Sequence, residues 1–582
     1  MGFKQKIRNI KDCKDNSSIY DVYYKENIDE SLIYFESRNG RDFAGNILRI
    51  IEEISTGRYG DFTIHVFAKP AVKLRIEEFK KNYNLKIDRI ITSEKEASQT
   101  LEKAKYIFTD SGIQYKYVKR PSQVFIDLWH GTPLKLMGID YASEIASIGH
   151  IQHPLLSSDY LLYPNEYMMD IMLRAYQIEK IYPGKIILEG YPRNTVFFDD
   201  KRRLEVKEKL GFEDREVFIY MPTYRGEVQK IDDNRDFIVE FLAKMDEMLD
   251  ENQLLIAKLH PYDESNIDYS NFNNVISFPE GFETYDVLNV CDVLITDYSS
   301  VLFDFANTGK KIILYNYDEE NYLSSRGIYI PLDELPFSKV QDADALINEL
   351  NTPKNYDDND FLEKFCIFDN IDAAERLCRH IFTNENVCEE MEIENSKENI
   401  LIYPGKITDS FINFAQTISE KYNIFITYNQ WDAYFKENCA EIIEMLPENV
   451  ELLPFRFNLT PTFDEKKDYN RYFASSDMEC PDSLNKLFKR SYDKQYQNID
   501  FKAIIDFDAT NPDVSSMFAL SNANSVIWIH EDTFKKANAN VLKNILPKFG
   551  TVVADSSELA KKVREISDEN IKISGNIEDI LF

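Results

Sequence analysis

The chain has 582 residues, 43% hydrophobic and 13% aromatic, enough for several packed units. A formal charge of −32 excludes general affinity for nucleic acid, so positive groups that meet an anionic ligand must be local. Seven scattered cysteines without a C-x-x-C pair exclude a disulfide or zinc framework and fit a reducing cytosol. No secretory signal and no apolar run near about 18 residues is present, so no membrane span is expected.

In chain order, the opening stretch MGFKQKIRNIKDCKD (within 1–29) carries five Lys/Arg against two Asp, with Phe3, Ile7 and Ile10 at helical spacing. It reads either as a basic amphipathic helix on an anionic membrane surface or as a frayed, solvated terminus. Residues 30–200 then alternate short apolar runs with helical patterns: SLIYF (31–35), FTIHVF (62–67), KYIFTD (105–110), VFIDLW (124–129), YLLYP (160–164) and KIILEG (185–190). The pattern restarts over 201–382 with EVFIYMP (216–222), LLIAKLHP (254–261), NVISFP (274–279), DVLITD (292–297) and KIILYN (311–316). Two Rossmann-like, doubly wound α/β lobes facing across a cleft are predicted. Residues 383–398 are polar and acidic and read as a linker. Residues 399–582 give a third α/β lobe, from NILIYPG (399–405) to GTVVAD (550–555).

Several strand ends carry chemistry. LWHGTP puts His130 at the end of VFIDLW. Gly131 allows a turn, Thr132 is a good N-cap and Pro133 suits the first helical position, so a helix start is expected there. Ligands of open α/β sheets collect at such ends, and an imidazole beside an anion site suits a general base. KLHPYD places His260 likewise in the second lobe. TDYSSVLFDF supplies Ser299 and Ser300 at a helix start, suited to diphosphate oxygens. PTYRG offers Thr223, Tyr224 and Arg225, and GYPRN offers Arg193, a natural fork for phosphate. Each has a plain structural reading as a loop histidine or an ordinary cap.

Taken together and in order, W-H-G-T-P, G-Y-P-R-N, P-T-Y-R-G, K-L-H-P and T-D-Y-S-S-V-x-F-D-F resemble the CDP-glycerol:poly(glycerophosphate) glycerophosphotransferase family over about residues 30–380. The resemblance implies a GT-B-like fold and transfer of glycerol phosphate from CDP-glycerol to the hydroxyl end of a teichoic-acid-like or capsular polymer, with CMP released. It implies His130 as base and His260 as stabiliser of the diphosphate and leaving group. Gly131, Thr132, Pro133, Leu134, Arg193, Thr223, Tyr224, Lys258, Leu259, Ser299, Ser300 and Asp304 would line the CDP-glycerol pocket, with no metal and no cofactor. The family more often has Trp at Tyr224 and Leu or similar at Tyr191, which bears on polyol choice, so CDP-ribitol is a rival donor. A UDP-sugar glycosyltransferase is the alternative from another class. The implied acceptor is a lipid-linked anionic polymer at the inner membrane surface, reached by a cytoplasmic, peripherally bound protein. KYVKRP (Lys116, Lys119, Arg120) is a candidate basic track for it, or simply solvated lysines.

The third lobe weakly resembles the N-terminal half of a retaining GT-B glycosyltransferase, without its nucleotide-sugar partner lobe. It reads either as a truncated glycosyltransferase, a piece of a longer bifunctional polymerase, or as an acceptor-binding or assembly module, and is not expected to catalyse by itself. Within it, Asp506-Phe507-Asp508 could hold a divalent ion but reads better as strand-end acids, and His530 as a satisfied strand-end histidine. Oligomeric state stays open.

Overall fold

The computed structural model describes residues 3–225, 231–264, 267–455, 459–475, 477–567 and 571–573. Its strands form three sheets. The first lobe holds β1 (Asp29–Glu36), β2 (Thr63–Phe67), β3 (Arg89–Ile91), β4 (Ala104–Thr109), β5 (Val124–Asp127), β6 (Tyr160–Tyr163) and β7 (Lys185–Leu188). The second holds β8 (Glu216–Met221), β9 (Gln253–Ala257), β10 (Val275–Ser277), β11 (Val293–Thr296), β12 (Lys311–Tyr315) and β13 (Ser338–Val340). After β14 (Glu389–Glu392) come β15 (Asn399–Tyr403), β16 (Asn423–Ile426), β17 (Val450–Leu452), β18 (Ala503–Asp506), β19 (Asn524–Ile529), β20 (Thr551–Ala554) and β21 (Ile571–Ile573).

The orders are β14-β7-β6-β5-β4-β1-β2-β3, β10-β9-β8-β11-β12-β13 and β17-β16-β15-β18-β19-β20-β21. All pairs are parallel except β14 on β7. Each sheet therefore reverses direction once, beside its own first strand, and leaves a crevice at the carboxyl ends there. The central strands are buried along most of their length, as both-face helix cover requires. The predicted pair of Rossmann-like doubly wound lobes with a third α/β lobe is what the chain forms.

Three expectations change. The stretch 383–398 is not only linker, because β14 closes the first sheet in antiparallel register from Glu389↔Leu188 to Glu392↔Lys185. Helix Ala373–Thr383, grouped by sequence with the second lobe, returns to the first, where Leu377, Cys378 and Ile381 join its core. The amino-terminal segment is not a frayed terminus but a helix, Phe3–Lys25, whose later turns bracket the first and third lobes, while Ile10 stays exposed and the side chains of Phe3 and Ile7 lie outside the described residues. Cys13, Ile19, Tyr20 and Val22 are buried. The Tyr20 hydroxyl meets Lys116 O (3.1 Å) and Thr460 Oγ1 (2.6 Å), Asn16 Nδ2 donates to Pro461 O (3.0 Å), and the Arg490 guanidinium covers the Tyr20 ring at 3.9 Å.

The third lobe also docks on helix Gly149–Ser157. Gln152 Nε2 donates to Leu452 O (2.8 Å), His153 Nε2 meets Lys494 O (2.6 Å), and one apolar core runs through both lobes. No described helix is long and apolar enough to cross a membrane.

Candidate active site

The carboxyl ends of the first two sheets face each other across a cleft with a mouth of about 1080 Å³ and an adjoining recess of about 210 Å³. His130 and Lys258 line both parts. His260 and Leu259 line the mouth. Arg193, Ser299, Ser300 and Asp304 line the recess. The two histidines, carried by different lobes, thus share one hollow.

His130 is held from three sides. Asp127 Oδ1 accepts from Trp129 N (2.9 Å), a tight turn that sends Trp129 to φ +47. The Trp129 indole then stacks on the imidazole at 4.4 Å. His130 Nδ1 lies 2.6 Å from Asp110 O. A carbonyl can only accept, so Nδ1 carries the proton and Nε2 keeps its lone pair. The Asp110 carboxylate is fixed in turn by the Ser37 hydroxyl (2.6 Å) and Arg38 N (2.8 Å). Burial, with Arg38 and Arg193 nearby, pushes the His130 pKa down to about 3 against the pull of the Asp110 carbonyl. The ring is neutral at physiological pH.

On the facing lobe His260 follows β9 and stacks on Tyr224 at 4.3 Å. Lys258 lies over the Phe278 ring at 4.0 Å, and burial followed by Arg75 lowers its pKa. Ser300 precedes helix Val301–Ala306 without capping it by its side chain; Ser299 Oγ accepts from Val301 N at 3.5 Å.

Other expected residues serve the framework. No helix begins at Thr132. Residues 131–137 run extended onto the second lobe, where Leu134 enters its core, Tyr329 N donates to Leu134 O (2.8 Å) and Lys135 bridges Ile328. The reason is local: Pro133 O and Thr132 Oγ1 are taken by Tyr167 (2.9 Å) and Asn165 (3.2 Å), and Leu134 finds more apolar cover across the gap than a helix would give it. Thr132, Pro133 and Leu134 are therefore a strap between lobes rather than pocket wall. Gly131, at φ +148, abuts Ser300: a Cβ there would lie 2.7 Å from Ser300 Oγ.

Arg193 spends its fork on Asp304 (2.8 and 3.0 Å) between the Tyr191 and Tyr285 rings, which ties the lobes at the recess floor. Thr223 N donates to Asp297 (2.8 Å), and Arg225 braces Asp297 (2.7 Å) and Asp318 (2.6 Å) rather than facing a ligand. Lys119 pairs with Asp159 (2.5 Å) and Arg120 bonds the Glu102 and Glu26 carbonyls, at the amino end of β5, opposite His130. KYVKRP is thus no open basic track.

In the third lobe, Asp506 is buried and accepts from Ala509 N (2.9 Å) and Ser515 Oγ (2.5 Å), so it closes a turn. His530 Nε2 meets Phe507 O (2.8 Å) and Nδ1 meets Asp555 (3.0 Å), a satisfied strand-end histidine.

Sequence reasoning missed Arg38, Arg41, Arg75 and Asp110. Arg38, Arg41 and Asp110 reach the His130 side of the cleft because β1, β4 and β5 are neighbours, so the chain just past each one converges; Arg75 comes from helix Lys73–Asn82, after β2. The signal was available in SLIYFESRNGR and KYIFTD, two strands whose carboxyl ends are polar or charged.

A family model described as CDP-Glycerol:Poly(glycerophosphate) glycerophosphotransferase matches residues 18–383. A teichoic acid glycerol-phosphate transferase of Staphylococcus aureus (strain NCTC 8325 / PS 47) is 28% identical over 378 residues, 61% of this chain and 93% of that protein. A teichoic acid poly(ribitol-phosphate) polymerase of Bacillus spizizenii is 28% identical over 380 residues, 62% of this chain and 58% of that one. The wall teichoic acid polymerase TagF has a similar fold, with a TM-score of 0.52 at 22% identity over 66% of this chain and 97% of that chain.

Proposed function

Because the chain belongs to the CDP-glycerol:poly(glycerophosphate) glycerophosphotransferase family, we propose that it transfers glycerol phosphate from CDP-glycerol to the terminal hydroxyl of a teichoic-acid-like or capsular polymer. The observation that carries this reading is the single cleft lined by His130 from one lobe and by His260, Lys258, Ser299 and Ser300 from the other. The acceptor hydroxyl gives its proton to His130 Nε2 as its oxygen attacks the phosphorus bearing glycerol. The bond from that phosphorus to the bridging oxygen breaks, and CMP leaves with the electron pair. His260 and Lys258 balance the charge that gathers on the diphosphate, and the imidazolium returns its proton to solvent.

An imidazole pushed down to about 3 is a weak base in the empty cleft. The donor corrects this: its diphosphate brings negative charge beside His130 and offsets Arg38 and Arg193, so proton affinity rises when substrate is in place. The chemistry then rests on positioning and electrostatics.

Ribitol phosphate from CDP-ribitol is the second reading, since glycerol and ribitol enzymes match this chain at the same 28% identity. The lipid-linked acceptor sets the working place at the cytoplasmic membrane face, where the protein binds peripherally. Purified protein incubated with CDP-glycerol or CDP-ribitol and a synthetic lipid-linked acceptor should release CMP with one of the two. Release from neither, with turnover of a UDP-sugar instead, would overturn the reading.

A further inference from the structure

The loop after β1 holds an unusual backbone. Arg38 and Asn39 lie at φ +48 and +55, followed by Gly40 at +73. Consecutive non-glycine residues in this region are strained and persist only where surroundings hold them. Here they do: Arg38 N is bound to the Asp110 carboxylate (2.8 Å), and Lys69 N donates to Gly40 O (2.6 Å). A Cβ at Gly40 would sit 2.7 Å from the Phe67 ring. This rigid turn delivers two exposed arginines, Arg38 and Arg41, to the mouth of the cleft on the His130 side.

Their neighbour Arg75 is paired with Asp42 (2.8 Å). Among the described residues, no carboxylate lies within ion-pair distance of Arg38 or Arg41, in a chain with 100 acidic residues against 68 Lys and Arg. Two forks without a carboxylate partner stand on a braced turn beside the base. Arg38 lines both mouth and recess, whereas Arg41 lines the mouth alone, outside the recess of Ser299 and Ser300, and a pair reaching outward in this way calls for an anion that arrives with the attacking hydroxyl.

We propose that Arg38 and Arg41 bind phosphodiester groups of the acceptor next to its reacting end. The enzyme then favours an acceptor that already bears polyol phosphate units over one with a neutral end. The inference deepens the proposed transfer and rests on it for the identity of the anion.

The test is direct binding, which needs no turnover. A fluorescently labelled synthetic glycerol phosphate trimer is titrated in anisotropy with the full chain and with R38A/R41A and R38K/R41K. Charge-assisted hydrogen bonds of this kind imply about tenfold or greater weakening in R38A/R41A, and a smaller loss in the lysine variant, which keeps charge but not the fork. Wild-type affinity should also fall as salt rises. An R38A/R41A protein that melts like wild type and binds the trimer as tightly overturns the assignment, as does a wild-type protein indifferent to the trimer. CMP release, measured separately, reports on the transfer reading alone.

Discussion

His130 gathers the reaction into one atom, Nε2, and its neighbours decide whether that atom is useful. His130→Ala should lower kcat by about 10²- to 10⁴-fold, the range for a positioned base, with little change in melting temperature because the ring packs mainly on Trp129. Asp110 is a positioning residue: its carboxylate fixes the loop whose carbonyl aims the ring. Asp110→Ala should cost kcat about 10²-fold through misplacement, with a smaller change in KM for the donor. The pH profile follows from the depressed pKa. In the free enzyme His130 stays neutral down to about pH 3, so the acid limb of kcat/KM should not fall near the ordinary histidine value. With the anionic donor bound the pKa rises, so the acid limb of kcat should lie at higher pH than that of kcat/KM. Coincident limbs near pH 6.5 would count against this account.

At the scale of elements, the strap 131–137 shows where the sequence could be read and where it could not. Strand after strand lies where its apolar run predicts, because a parallel strand buried on both faces leaves a plain signal. Four of the six edge strands were not legible: β3, β13, β14 and β21 are three or four residues long and partly exposed, so their assignment depends on a neighbour rather than on their own side chains. Thr132-Pro133 has good helix-start chemistry and still runs extended, since tertiary contacts took the carbonyl and hydroxyl that a cap would have used. His130, His260 and the serine elbow could be read from motifs. Arg38, Arg41 and Asp110 were legible only as polar strand ends, not as neighbours of His130, because their meeting is a property of strand order. Gly131→Ala tests the strap: strain at φ +148 and the Ser300 contact should cost about 1–3 kcal/mol of stability and lower kcat, read by thermal melting and turnover.

Across the whole molecule, the two catalytic lobes are held together by buried charge. Arg49 of the first lobe meets Glu283 (3.1 Å) and Asp286 (2.9 Å) of the second, and Arg202 adds a second hold on Asp286 (2.6 Å). Burial alone would raise the Asp286 pKa, but the two guanidiniums hold it well below the carboxylate range. Arg49→Met leaves two buried carboxylates short of a partner and should cost about 3–5 kcal/mol, seen as a lower melting temperature. If instead Arg49 only decorates an interface that packing already fixes, the melt will not move.

The bracket formed by the first helix has a consequence for biogenesis. Its partners Thr460 and Arg490 follow it by 440 and 466 positions. At about 5–20 residues per second, translation needs roughly 20–90 s to deliver them. Throughout that interval the helix can rest only on the first lobe, through Val118 and the Lys116 carbonyl, with the third-lobe side of Tyr20 uncovered, which makes this face a natural client for a ribosome-associated chaperone.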